Sequence, residues 1–219
     1  MCIRDSTSLL AAIPAGSSVS SFASPFAPTV DNTIVFSNYS DRTPASVPVL
    51  LGNNDYESGL YRTQLALVNE FLPDSTWDLL DLAEITCPHG VKANASVAAG
   101  NPTWRYRYFG VWPDTNISSE GRAYHASELA PLFGYILAGP SATAEEIEFQ
   151  AYMRGAWAAF ANDPAQGLLT YGGGWPLYDS AEETLVRLAF DDLTGTNLAL
   201  PMLYDAGCAD VDPSGLPRI

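Results

Sequence analysis

The sequence predicts an α/β fold, and three observations carry that prediction. Val47-Pro48-Val49-Leu50-Leu51 is a continuous apolar run ended by Gly52-Asn53-Asn54, the pattern of a strand buried on both faces in a parallel sheet. Thr103-Trp104-Arg105-Tyr106-Arg107-Tyr108-Phe109 is a second strand, aromatic-rich with period two. Between and after them lie stretches that open on helix start signals, so strands alternate with helices.

The remaining elements follow in order. Residues 7–32 are rich in Ser, Ala and Pro and read as loop with one short helical turn; Thr33 to Phe36 is a short strand. A helix covers Gly59 to Phe71. Ser75-Thr76-Trp77-Asp78 has the form of a capping box and starts another, interrupted at Pro88 and running towards Ala99. A long polar loop spans Trp112 to Tyr124 and ends at His125, and Ser127 to Ala138 is an apolar helix. Thr143-Ala144-Glu145-Glu146 is a second capping box, opening a helix to about Ala161. Gly172-Gly173-Gly174-Trp175-Pro176 is a turn, and Thr184 to Phe190 is the last strand. The Val47–Leu51 strand needs a neighbour on each side, and the chain offers only Thr103–Phe109 as an evident one.

The 219 residues carry 47% hydrophobic side chains, enough for a packed core. The net charge is −15, with only 10 Lys and Arg. That balance argues against nucleic acid or anionic membrane surfaces as partners, because both require clustered cations. No apolar run approaches the roughly 20 residues of a membrane span. Residues 1–6, Met1-Cys2-Ile3-Arg4-Asp5-Ser6, match the translation of a sequencing-library adapter and are set apart as a non-native leader. No secretory signal peptide is visible, and with that leader set aside its absence says nothing of localisation. With Cys2 in the leader, Cys87 and Cys208 remain as an even pair. They suit one disulfide in an oxidising compartment, with two free buried thiols as the alternative. Sequons at Asn38, Asn94 and Asn116 point the same way, towards secretion.

Two residues carry the chemistry. His125 stands on a loop beyond the sheet, where α/β enzymes place function, and an imidazole can both take and return a proton. Glu57, just past the first strand, is a carboxylate able to fix the histidine's tautomer, with Asp55 as the competing acid. The structural alternatives are a histidine making one capping hydrogen bond and a solvated acidic turn. An acid after one strand and a histidine after the next is the latter part of a triad in the chain order Ser–acid–His. A G-x-S-x-G nucleophile elbow is absent from the sequence. Two histidines without a cysteine or carboxylate cluster leave no metal site, and no phosphate or dinucleotide loop implies a cofactor.

Several blocks resemble the type-B carboxylesterase family, which includes cholinesterases and fungal lipases. They are Leu50-Leu51-Gly52-Asn53-Asn54-Asp55-Tyr56-Glu57, Trp104 to Phe109, and Ala123-Tyr124-His125-Ala126-Ser127-Glu128-Leu129-Ala130-Pro131-Leu132-Phe133-Gly134. Trp157-Ala158-Ala159-Phe160-Ala161-Asn162-Asp163-Pro164, then Trp175-Pro176-Leu177-Tyr178, and Ile85-Thr86-Cys87-Pro88 agree, in the family's order from about residue 9 to residue 210. Fungal members are the most similar. The resemblance implies that residues 7–219 are the C-terminal part of a single α/β-hydrolase domain, an incomplete, mostly parallel mixed sheet flanked by helices. It implies Glu57 as triad acid, His125 as base, and a Cys87–Cys208 disulfide. The half expected to be missing would hold the nucleophile elbow, the oxyanion loop and most of the acyl pocket. Ser58 stands where the family has glycine after the acid, with Gly59 next. The expected activity of the intact protein is hydrolysis of small-molecule or lipid carboxylic esters, without a cofactor, outside the cell; the chain alone is expected to be inactive. A non-catalytic adhesion or binding module, a form some members take after losing the triad, is the second reading, and retention of both Glu57 and His125 weighs against it.

Overall fold

The computed structural model describes residues 29–37, 42–134 and 141–211. The leader, most of the Ser/Ala/Pro-rich stretch, the Asn38 sequon and residues 135–138 of the expected apolar helix lie outside the described residues.

The described residues fall into two units, one holding 29–37 with 42–43 and the other lying within 44–211. In the first, the expected strand at Thr33–Phe36 is a turn instead. The Asp31 carboxylate accepts the backbone N–H groups of Thr33, Ile34 and Val35 at 2.8–2.9 Å. A short polar side chain that satisfies three successive amides replaces any strand ladder there.

The second unit is built on a four-stranded sheet. The strands are β1 (Val49–Asn54), β2 (Thr103–Tyr108), β3 (Leu185–Leu188) and β4 (Leu198–Ala199), in spatial order β1-β2-β3-β4. The first three are parallel and β4 is antiparallel. Between β1 and β2 run α1 (Gly59–Leu67), α2 (Asp74–Leu80), a π-helical segment Asp81–Thr86 and α3 (Cys87–Ala98). Between β2 and β3 lie α4 (Leu129–Phe133), α5 (Ala144–Asn162) and α6 (Gly167–Thr170), and α7 (Met202–Asp205) follows β4.

The period-two pattern of β2 sorts the layers. Trp104 and Tyr108 are fully buried in the larger core with Phe149, Met153, Leu168 and Trp175, on the side of α5. The alternate residues face the other way. Thr103 Oγ1 donates to Ser96 Oγ of α3 at 2.9 Å, and the buried Arg105 forms an ion pair with Asp205 of α7 at 2.5 Å. One strand thus buries aromatics against α5 and places its polar side chains against α3 and the C-terminal segment. The Cys87–Cys208 disulfide ties the same segment to the start of α3, with Cα atoms 5.5 Å apart.

Several boundaries differ from expectation for identifiable reasons. β1 starts two residues late and runs on through Gly52, Asn53 and Asn54, which pair with Tyr106, Arg107 and Tyr108. α1 stops at Leu67 because Asn69 turns left-handed at φ 58° and Glu70 N–H folds back onto the Leu65 carbonyl. The box at Ser75 does not cap: α2 begins at Asp74 after Pro73, without a side-chain cap. Pro88 does not interrupt the helix either. It lies in the first turn of α3, where its missing N–H costs little, and the π segment carries the chain into that turn. Of the second box one half forms, Thr143 Oγ1 accepting Glu146 N–H at 3.1 Å, while the Glu146 carboxylate turns to Gln150 Nε2 at 3.0 Å. The last strand is shorter, since Ala189, Asp191 and Asp192 adopt φ of 53–59° and break the ladder. The two-residue β4 has no pattern to announce it. β1 pairs on one side alone among the described residues, which leaves its outer edge without a partner strand there.

Candidate active site

The site is built where β1 ends. Asn54 is the last strand residue, Asp55–Ser58 form a tight turn, and α1 leaves from Gly59. The turn is fastened by backbone bonds: Asp55 N–H to the Tyr108 carbonyl at 2.8 Å and Tyr56 N–H to the Ala123 carbonyl at 3.0 Å. Ser58 N–H donates to the buried Asp81 carboxylate at 2.6 Å. Ser58 has φ −64°, an ordinary conformation, so no glycine is required after the acid. Gly59 is the constrained position, because a Cβ there would sit 2.2 Å from the Gly121 carbonyl oxygen. The glycine displaced by one residue thus serves close approach to the histidine loop.

That loop brings His125 to Glu57. His125 Nδ1 lies 2.7 Å from Glu57 Oε2, and His125 N–H donates to the Glu57 carbonyl at 3.3 Å. The second carboxylate oxygen, Oε1, accepts Asn54 N–H at 2.6 Å. Glu57 is buried, whereas the His125 side chain is 47% exposed, so the ring is held on one side and open on the other. Its Nε2 is the nitrogen left for a reacting group. The hydrogen bond to Glu57 raises the His125 pKa above its ordinary value, against the opposing effect of partial burial. The loop is held in an unusual shape, with Arg122 and Ala126 at φ 48° and 70° on either side of the histidine. The Tyr61 ring stands 6.0 Å from the imidazole.

Asp55 points elsewhere. Its carboxylate receives Arg107 Nε at 3.0 Å and the Arg122 guanidinium, and Arg107 also donates to its carbonyl at 2.9 Å. Glu128 does not cap α4 through its side chain; it accepts a hydrogen bond from Asn54 Nδ2 at 2.5 Å. Burial raises its pKa. Asp81 is a residue that sequence reading missed. Burial pushes it up to about 7, opposed by its bonds with Ser58. Nothing in its sequence context marks it, since the contact depends on how α2 and the π segment cross the turn. His89 is half-buried, its Nδ1 2.8 Å from the Ile85 carbonyl one helical turn back, with its pKa lowered chiefly by burial. The sequons at Asn94 and Asn116 are exposed. Among the described residues no three His, Cys, Asp or Glu side chains converge to hold a metal, and no helix is long and apolar enough to cross a membrane.

The chain is 35% identical over 179 residues to secreted lipase 5 of Gibberella zeae, an alignment covering 74% of this chain and 32% of that protein. It is 26% identical over 183 residues to chlorogenic acid esterase of Aspergillus niger, covering 75% of this chain and 35% of that one. The chain is homologous to fungal lipases and esterases. It spans about a third of the length of these curated relatives. No family model matches the sequence. The mostly parallel sheet with helices on both faces is compatible with the α/β-hydrolase architecture those relatives suggest.

Proposed function

We propose that this chain supplies the acid and base of a serine carboxylesterase or lipase of the type-B carboxylesterase family. The observation that carries the reading is the Glu57–His125 pair, 2.7 Å apart, with a half-exposed imidazole at the end of a parallel strand. In this scheme His125 Nε2 takes the proton of a serine hydroxyl as the oxygen attacks the ester carbonyl. The protonated ring then gives that proton to the leaving alcohol, and the acyl-serine forms. Water enters next, loses its proton to the same nitrogen as it attacks the acyl carbon, and the acid is released as that proton returns to the serine oxygen. Glu57 holds Nδ1 in the protonated tautomer and stabilises the imidazolium.

No serine in the sequence occupies a G-x-S-x-G elbow, so the nucleophile and oxyanion donors belong to a further part of the protein. The same part would cover the outer edge of β1. The substrate is a carboxylic ester, lipid or small-molecule. The setting is extracellular, in line with the printed name of the Gibberella zeae relative, the Cys87–Cys208 bridge and the exposed sequons Asn94 and Asn116.

The test has two arms. The coding sequence extended upstream should reveal a G-x-S-x-G elbow, and the complete protein should hydrolyse a short-chain chromogenic ester. His125→Ala should remove turnover on the order of 10⁶-fold. Residues 7–219 expressed alone should show no hydrolysis that depends on His125. An upstream sequence without an elbow would favour the binding module, and His125-dependent turnover by the isolated chain would place the nucleophile within it.

A further inference from the structure

Asn54 touches both halves of the candidate pair. Its backbone N–H donates to Glu57 Oε1 at 2.6 Å. Its side-chain amide donates to the Tyr124 carbonyl at 2.7 Å, one residue before His125, and to Glu128 Oε2 at 2.5 Å, three residues after it. The residue is 2% exposed, so none of these bonds competes with bulk water. Its strand position is fixed independently, by register opposite Tyr108 at the end of β2.

The segment from Tyr124 to Glu128 is a turn, neither helix nor strand, and it includes Ala126 at φ 70°. Its own bonds, Ser127 N–H to the Tyr124 carbonyl and Leu129 N–H to the Ala126 carbonyl, close the turn without fixing where it sits. Tyr56 N–H on the Ala123 carbonyl and His125 N–H on the Glu57 carbonyl tie the segment to the turn after β1, and the amide of Asn54 adds two further holds from one point on the strand, one on each side of the histidine. We propose that Asn54 is a positioning residue, which gauges His125 against Glu57 by holding the turn on both sides of the histidine while its backbone holds the acid. The proposal rests on the hydrolase reading of that pair. Geometry of this kind matters because displacement of a catalytic group by about 1 Å can cost on the order of 100-fold in rate.

The test uses the full-length protein and reads two things: the kcat and KM of ester hydrolysis, and the imidazole titration of His125 by NMR, its resonance assigned by its loss in His125→Ala. Asn54→Ala should lower kcat by about 10- to 100-fold with KM within about twofold. The His125 midpoint should move down towards its ordinary value, because the hydrogen bond that raises it is loosened. If Asn54→Ala does not fold, Glu128 carries the test. Glu128→Gln keeps an acceptor for the amide and removes the charge, whereas Glu128→Ala removes both. A lower kcat and His125 midpoint in Glu128→Ala than in Glu128→Gln supports the tether. Wild-type kcat in Asn54→Ala, an unmoved His125 titration, or identical behaviour of the two Glu128 variants overturns it. Failure of the hydrolase reading is separate: turnover would survive in His125→Ala, while the titration would still report on the tether.

Discussion

Asp55 and Glu57, two residues apart on one turn, direct their carboxylates into separate networks. Glu57 meets His125 at 2.7 Å, while Asp55 is clasped by Arg107 of the neighbouring strand and Arg122 of the histidine loop. The sequence reading favours Glu57 with Asp55 as its competitor, and the two carboxylates meet different partners on the turn. Glu57→Gln should therefore cut kcat strongly, by analogy with triads in which the acid's amide holds the wrong tautomer, on the order of 10⁴-fold. Asp55→Asn should act instead on stability, because it leaves two guanidinium groups without their carboxylate. Equal kinetic losses from the two substitutions would remove the distinction.

The pH dependence of hydrolysis should carry the mark of that pairing. In the proposed scheme the imidazole must be neutral to accept the serine proton, so activity is expected to fall as pH drops through the His125 pKa. Glu57 raises that pKa, which places the acidic limb of kcat/KM above pH 6.5. Loss of the carboxylate charge in Glu57→Gln should move the residual limb downward. A limb that stays in place in that variant would show that another group governs it.

Asp81 gives a second pH effect, on stability. Its folded pKa, pushed up to about 7, exceeds the unfolded value of 3.8. A raised acid favours folding fully only below its unfolded pKa, and the contribution is lost as pH rises through the folded one. The unfolded chain releases this proton first, so stability should decline between about pH 4 and 7 and level off above. Each unit of displacement corresponds to about 1.4 kcal/mol. Glu57 and Arg107 are the charged neighbours and act in opposite directions on Asp81. Asp81→Asn retains an oxygen for Ser58 N–H and cannot ionise. Urea unfolding across that window should give a variant whose stability gains on the parent as pH rises. Parallel pH profiles would mean that Asp81 does not titrate there.

The parts of this fold that could be read from sequence are those with a local cause. The aromatic alternation of β2 specifies two faces, and Thr143 with Glu146 specifies a helix start. The apolar run of β1 marks a buried strand shortly before Glu57, although that strand ends at Asn54 and not at Leu51. What could not be read depends on long-range partners. Asn53 and Asn54 look like a turn, yet β2 offers them a ladder, and that extension makes Asn54 available to the histidine loop. Pro88 looks like a break because a preceding π segment has no sequence signature. Asp81 and Ser58 meet across a helix crossing that neither local pattern encodes.

The C-terminal segment should prove to be held by two coupled fastenings. The Cys87–Cys208 bridge closes a separation of 121 residues, for which loop-closure entropy gives about 4–5 kcal/mol. Three residues before Cys208, Asp205 meets Arg105 through both carboxylate oxygens, at 2.5 and 2.8 Å. The Arg105 side chain is 2% exposed, so Asp205→Ala would strand a buried cation at a cost of about 3–5 kcal/mol. Both contacts pin one short segment against α3 and β2. Once either is cut, the segment can lift away and expose Arg105 to water, which lowers the cost of cutting the other. The double variant Cys208→Ser with Asp205→Ala should accordingly lose less stability than the two single losses added together. Denaturant midpoints for the four proteins of that cycle decide the matter, and strict additivity would mean that the two fastenings act on independent parts of the chain.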